Sequence, residues 1–71
     1  MARFLGWYDD TPNKPPTQKI AEGCAAFTAR FGTAPRVVLV NARDLPTEPP
    51  PDLRIEVRTS MQPNTFFIGM D

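Results

Sequence analysis

The chain contains no histidine and only one cysteine, Cys24, among its 71 residues. Without histidine, one chain cannot build a serine–histidine or cysteine–histidine nucleophile pair, or a metal site that uses imidazole. A lone cysteine forms neither an intrachain disulfide nor a structural zinc site, and it is typical of a reducing compartment. We therefore expect a cytoplasmic protein that is not an enzyme and carries no cofactor.

The sequence also lacks long hydrophobic runs and any excess of charge. No uninterrupted apolar run exceeds four residues, which is far too short to cross a bilayer. Eight basic and eight acidic side chains give a net charge of zero, so the overall charge does not favour nucleic acid or an anionic membrane. The glycine-rich loops that hold nucleotide phosphates are absent as well. These absences leave binding, rather than a common class of catalysis, as the expected function.

One segment has the periodicity of an amphipathic helix. Four apolar residues recur at spacings of three or four and form one narrow stripe: Ile20, Cys24, Phe27 and Phe31. Prolines are tolerated in a first helical turn and Gly32 can close the last one, so we predict a helix over residues 15–31. Asn13 is the predicted cap, and Lys19 is predicted to lie on the polar side.

Four segments have the composition of strands, at residues 3–9, 36–41, 53–58 and 65–70. We predict that the last two pair as an antiparallel hairpin. Together with the helix, the order β-α-β-β-β predicts an α/β fold (or an α+β fold), with one helix on one face of a four-stranded mixed sheet. The whole chain, residues 1–71, is expected to be one small domain, with a proline-rich connector at residues 42–52.

A single helix covers only one face of such a sheet, and three of the strands are apolar on both sides. We expect an exposed apolar patch on the uncovered face, formed by Trp7, Val38, Val40 and Phe67. Contiguous apolar patches mark interfaces, so the chain is expected to form a homodimer or to join a larger assembly. The alternative is that the connector and the N-terminus fold over this face.

Polar side chains follow the first two strands, and the carboxyl ends of parallel strands are common ligand sites. Their oxygens could hold Mg²⁺ or Ca²⁺, and an arginine among them could hold an anion. The residues of this possible ligand site are Asp9, Asp10, Asn41, Arg43 and Asp44. The alternative is that these side chains only bond local backbone groups in turns.

Two arginines, Arg54 and Arg58, flank Glu56 on the polar side of the third strand. Aromatic rings beside arginines on an open sheet can stack and clamp single-stranded nucleic acid. With Trp7 or Phe67 on the same side, these arginines form a possible nucleic-acid site. The alternative is an ordinary solvated face with cross-strand charge pairs.

Overall fold

The computed structural model describes residues 3–70 and confirms the predicted β-α-β-β-β order with one helix and a four-stranded mixed sheet. A short 3-10 turn, Ala42–Asp44, follows the second strand. The elements are β1 (Arg3–Tyr8), α1 (Pro16–Phe31), β2 (Val37–Val40), β3 (Arg54–Val57) and β4 (Thr65–Met70). Within the described residues, no helix is long and apolar enough to cross a membrane.

The strands lie in the order β1-β4-β2-β3. β4 is antiparallel to both of its neighbours, and β2 and β3 are parallel. The predicted hairpin between the last two strands is therefore wrong, because β4 inserts between β1 and β2. The reason is side-chain character: Phe66 and Ile68 of β4 are fully buried, whereas the charged side chains of β3 suit an edge of the sheet.

The bounds of the helix agree with the prediction to within one residue, but its predicted cap is wrong. Gly32 adopts the left-handed conformation at φ 74°, and its backbone N–H donates to the carbonyl of Thr28 at 2.8 Å. At the other end the cap residue is Pro15, and no side chain caps the helix. Asn13 is therefore not the cap. It lies in the preceding turn at φ 64°, a conformation that asparagine tolerates better than most residues.

The core lies between the helix and one face of the sheet. Its fully buried side chains are Ile20, Phe27, Val38, Val40, Phe66 and Ile68. Gly23 allows the close approach of the helix, because a Cβ at this position would overlap the Ile68 side chain and touch the Trp7 ring. The helix thus lies directly over β1 and β4.

Three of the four residues predicted for the uncovered face lie beneath the helix instead. Val38 and Val40 are fully buried, and Trp7 packs against the same core. The strand register explains the error: Trp7 is paired with Phe66, and Val38 with Ile68, so all of them share one face. Only Phe67 points to the other side. The alternation of sides along each strand was predicted correctly, but the sides of neighbouring strands were matched wrongly, since Phe67 lies on the face opposite the other three residues.

The proline-rich connector contributes to the same core. Pro46 is buried, and Leu53 at its end packs against the core cluster. The steps from β1 to β2 and from β2 to β3 run in the same direction across the sheet, so right-handed crossovers place both on the helix side. The connector therefore supplements the helix on this side of the sheet.

Candidate interaction surface

The face of the sheet that points away from the helix exposes aromatic side chains on two neighbouring strands. Phe4 and Tyr8 of β1 are 40% and 65% exposed, and Phe67 of β4 is 42% exposed. Leu39 of β2 stands beside Phe67 on the same side and is half-buried. We call the surface formed by Phe4, Tyr8, Leu39 and Phe67 the open face. The exposure of these rings argues against the alternative in which the connector and the N-terminus fold over the whole face, although Val37 on the same side is buried.

Two of these rings are paired with glycines across the strands. Phe4 stands opposite Gly69, and its ring occupies the space that a Cβ on Gly69 would need. Phe67 stands opposite Gly6, with its ring edge 3.8 Å from the position of a Cβ there. Because neither glycine has a side chain, the rings can lie close to the sheet. The open face is consequently flat and aromatic.

The size of the open face can be judged from strand geometry. The open face spans β1, β4 and the shorter β2, and strands of these lengths about 4.8 Å apart give roughly 250 Å² in projection. That area is just below the range of patches that usually have a function, about 300–600 Å². It is about a third of the 800 Å² or so that each partner contributes to a standard protein interface.

A charged strip borders the open face on β3. Glu56 accepts hydrogen bonds from the guanidinium groups of Arg54 and Arg58, both of which are about half exposed. These bonds, the one from Arg54 first, hold the pKa of the Glu56 carboxyl below its usual value. The register places this strip on the same side of the sheet as Phe67. Phe67 thus lies on the same side of the sheet as these arginines, as predicted, whereas Trp7 lies on the opposite side.

The predicted ligand residues at the strand ends lie at one end of the sheet, but their side chains are bonded to neighbouring parts of the chain. Asp9 accepts hydrogen bonds from the Thr11 backbone N–H at 3.0 Å and its hydroxyl at 2.6 Å, and it pairs with Lys14 at 2.9 Å. These contacts, with the Thr11 hydroxyl first, hold the pKa of Asp9 far below its usual range. Lys14 also pairs with Glu22 on the helix at 2.8 Å. Asp10 is exposed in the same turn.

The predicted ligand residues that follow β2 form hydrogen bonds with other parts of the chain. Asn41 accepts from the backbone N–H of Arg43 at 2.8 Å and donates its side-chain amide to the Met61 carbonyl at 2.7 Å. Asp44 is buried and accepts from the backbone N–H of Asn64 at 2.7 Å. Across residues 3–70, no three acidic, histidine or cysteine side chains come together in a way that could hold a metal ion.

Asn64 joins the two groups of predicted ligand residues and was not singled out in the sequence. Its carbonyl accepts from the Asp9 backbone N–H at 3.0 Å, and its side-chain oxygen accepts from the Lys19 ammonium at 3.0 Å. Lys19 is only 5% exposed, so its predicted place on the polar side of the helix is wrong. The spacing of four residues from Lys19 to Gly23 and on to Phe27 is the signal that could have placed it on the buried side.

Two further features stand apart from the open face. Cys24 is a free thiol, and partial burial raises its pKa, which lowers its reactivity. An open depression of about 430 Å³ lies at the opposite end of the sheet from Asn64 and is lined by Thr33, Ala34, Pro35, Arg36, Asp52 and Met70. Nothing in its lining singles out a ligand.

Comparison with known proteins gives no relative from which a function could be transferred. No protein-family model matches the chain, no curated protein is significantly similar to it, and no solved structure has a significantly similar fold. The functional argument therefore depends on the surface of this chain alone.

Proposed function

We propose that this chain is a non-enzymatic interaction protein that packs the open face of its sheet against the open face of a second copy. The observation that carries the proposal is the 42% exposure of Phe67 on β4, an interior strand of the sheet. An aromatic ring so placed loses its contact with water only when another surface covers the sheet. Burial of such rings is a major source of binding energy in protein interfaces.

The composition of the open face supports a protein partner. Aromatic residues and arginine are enriched in interfaces, and the open face with its charged strip contains both. A second copy is a suitable partner for the open face, because a two-fold interface brings the same surface of both subunits together, with an apolar centre against an apolar centre. The single cysteine is compatible with such a role in the cytoplasm.

The test is a charge placed on the open face, with a matched charge on the helix side. Phe67 and Val57 are each 42% exposed, but Val57 is paired with Val40 and therefore points to the helix side. We expect Phe67→Glu to lower the mass measured by light scattering at millimolar chain concentration. Val57→Glu is expected to leave that mass unchanged. Equal masses for the two variants would overturn the proposal, and circular dichroism verifies that both are folded.

A second candidate function is the binding of single-stranded nucleic acid. Tyr8 and Phe67 are exposed on the same side of the sheet as Arg54 and Arg58, and stacked bases with neutralised phosphates need this combination. Glu56 weakens the candidate because it bonds both guanidinium groups. The check is the fluorescence anisotropy of a labelled mixed-sequence oligonucleotide. Binding should weaken steeply with salt, and no binding at low salt removes this candidate.

A further inference from the structure

β1 forms one edge of the sheet, and its outward backbone groups can be identified from the ladder. Asp9 donates its N–H to Asn64, which is the position directly opposite it in the β1–β4 register. Antiparallel ladders alternate between bonded and non-bonded pairs, so the backbones of Leu5 and Trp7 also bond to β4. The backbone groups of Phe4, Gly6 and Tyr8 therefore point away from the sheet. Among residues 3–70, none of these three makes a backbone bond outside the sheet.

The two edge strands, β1 and β3, differ in how well their side chains prevent the addition of another strand. β3 carries alternating charges and follows a run of three prolines, residues 49–51, and both features discourage strand addition. β1 has no charged residue and no proline from position 4 to position 8. It is also the longer of the two edge strands, at six residues against four. An unprotected edge of this kind is a template for another strand.

The sequence of β1 is self-complementary in one antiparallel register. A two-fold axis at Gly6 places Phe4 of one copy opposite Tyr8 of the other, and Gly6 opposite Gly6. This is the one register that pairs all three outward-pointing residues, since any shift leaves at least one of them without a partner. It also sets Arg3 opposite Asp9 of the second copy, so that no like charges face each other across the junction.

We propose that two copies of the chain join along β1 to form one eight-stranded sheet. The proposal goes beyond the packing of open faces, because it uses the edge of the sheet instead. Phe4 and Tyr8, which are among the exposed rings of the open face, form a cross-strand aromatic pair at each end of the junction. The two open faces then become one continuous surface of twice the projected area, which lies within the range of patches that usually have a function, about 300–600 Å².

Amide hydrogen exchange on the unsubstituted chain tests directly whether the outward N–H groups of β1 become hydrogen-bonded to a second copy. At micromolar concentration we expect the amides of Phe4, Gly6 and Tyr8 to exchange rapidly. At millimolar concentration we expect them to slow by about tenfold or more, while Leu5 and Trp7 are protected at both concentrations by their bonds to β4. If the three edge amides stay fast when light scattering shows a multiple of the chain mass, the edge proposal is wrong and the packing of open faces survives.

Substitution at Gly6 supplies a second readout. Gly6→Pro removes the N–H at the proposed two-fold axis, and proline is tolerated on an edge strand. Gly6→Ala is the matched control, because a Cβ here makes only ordinary contact with Phe67 and the N–H is kept. We expect the proline variant alone to lose the slowing of Phe4 and Tyr8. In Phe67→Glu the slowing of amide exchange at Phe4 and Tyr8 should persist, because the edge of β1 is unchanged. An unsubstituted chain that is monomeric at every concentration would overturn both the pairing along β1 and the packing of open faces.

Discussion

The Asp44 carboxylate accepts a 2.7 Å hydrogen bond from the backbone N–H of Asn64, twenty residues further along the chain. Asp44 follows β2 and is 6% exposed, and Asn64 immediately precedes β4 at φ 66°. The bond therefore holds the start of β4 at the end of β2. Because β4 must enter between β1 and β2, this contact helps to fix the strand order on which the open face depends.

The first prediction concerns this bond. Asp44→Ala should lower the free energy of unfolding by about 1–3 kcal/mol, because a partly buried backbone donor loses its acceptor. Asp44→Asn keeps a side-chain oxygen and should lose less. Urea denaturation followed by circular dichroism measures both variants. A loss in Asp44→Ala no larger than that in Asp44→Asn would show that the acceptor contributes little.

The second prediction separates the two roles of Asn64. Asn64→Gly keeps the positive φ but removes the acceptor of the buried Lys19 ammonium. Asn13→Gly is the control, since Asn13 has the same backbone conformation in an exposed turn. We expect Asn64→Gly to be less stable than Asn13→Gly by about 1.5–3 kcal/mol, the range for a hydrogen bond to a charged group. Equal stabilities of the two variants in urea would show that the hydrogen bond from Lys19 to Asn64 does not contribute to stability.

The third prediction tests the contact between helix and sheet. Gly23→Ala raises helix propensity by up to about 1 kcal/mol, but its Cβ would overlap Ile68 and touch Trp7. We expect a net loss of stability of about 1–3 kcal/mol, as for other overpacked cores. Ala29→Gly, at an exposed helical position, should lose about 1 kcal/mol from propensity alone. A thermal midpoint that rises in Gly23→Ala would contradict this close packing.

The fourth prediction concerns acid. Hydrogen bonds from Thr11 and Lys14 lower the pKa of Asp9 in the folded chain below its ordinary 3.8. Since the folded pKa is the lower one, the stabilisation is fully present well above pH 3.8 and is lost as the pH falls through the folded value. Asp9→Asn should therefore lose less stability than the unsubstituted chain between pH 6 and pH 2. Urea titrations at each pH give the two stability curves, and parallel curves would contradict this prediction.

Local patterns in the sequence were sufficient to predict the elements. The apolar stripe with Gly32 and the alternation at residues 53–58 each depend on neighbours within a few positions, and the helix and the strand that they predict both appear where expected. The hairpin prediction failed because it assumed that consecutive strands pair. The position of β4 is set instead by long-range contacts, in which Phe66 and Ile68 fill the centre of the core.

An exposed apolar face of the sheet was predicted from the sequence, but most of the residues predicted to form it were wrong. β1 and β2 are apolar on both sides, so their alternation gives two candidate faces and no means of choosing between them. The choice depends on where the helix docks, which Gly23 fixes through its approach to Trp7 and Ile68. Phe4, Tyr8 and Leu39 consequently replace Trp7, Val38 and Val40, and Phe67 remains.

The most direct measurement is the mass of the unsubstituted chain by sedimentation equilibrium, from micromolar to millimolar concentration. Self-association through the open face predicts a mass that rises with concentration from 7.9 kDa to at least twice that value. If the edge of β1 is also used, the mass should approach that of four chains. A constant mass of 7.9 kDa over the whole range would contradict self-association, and with it the role proposed for Phe67.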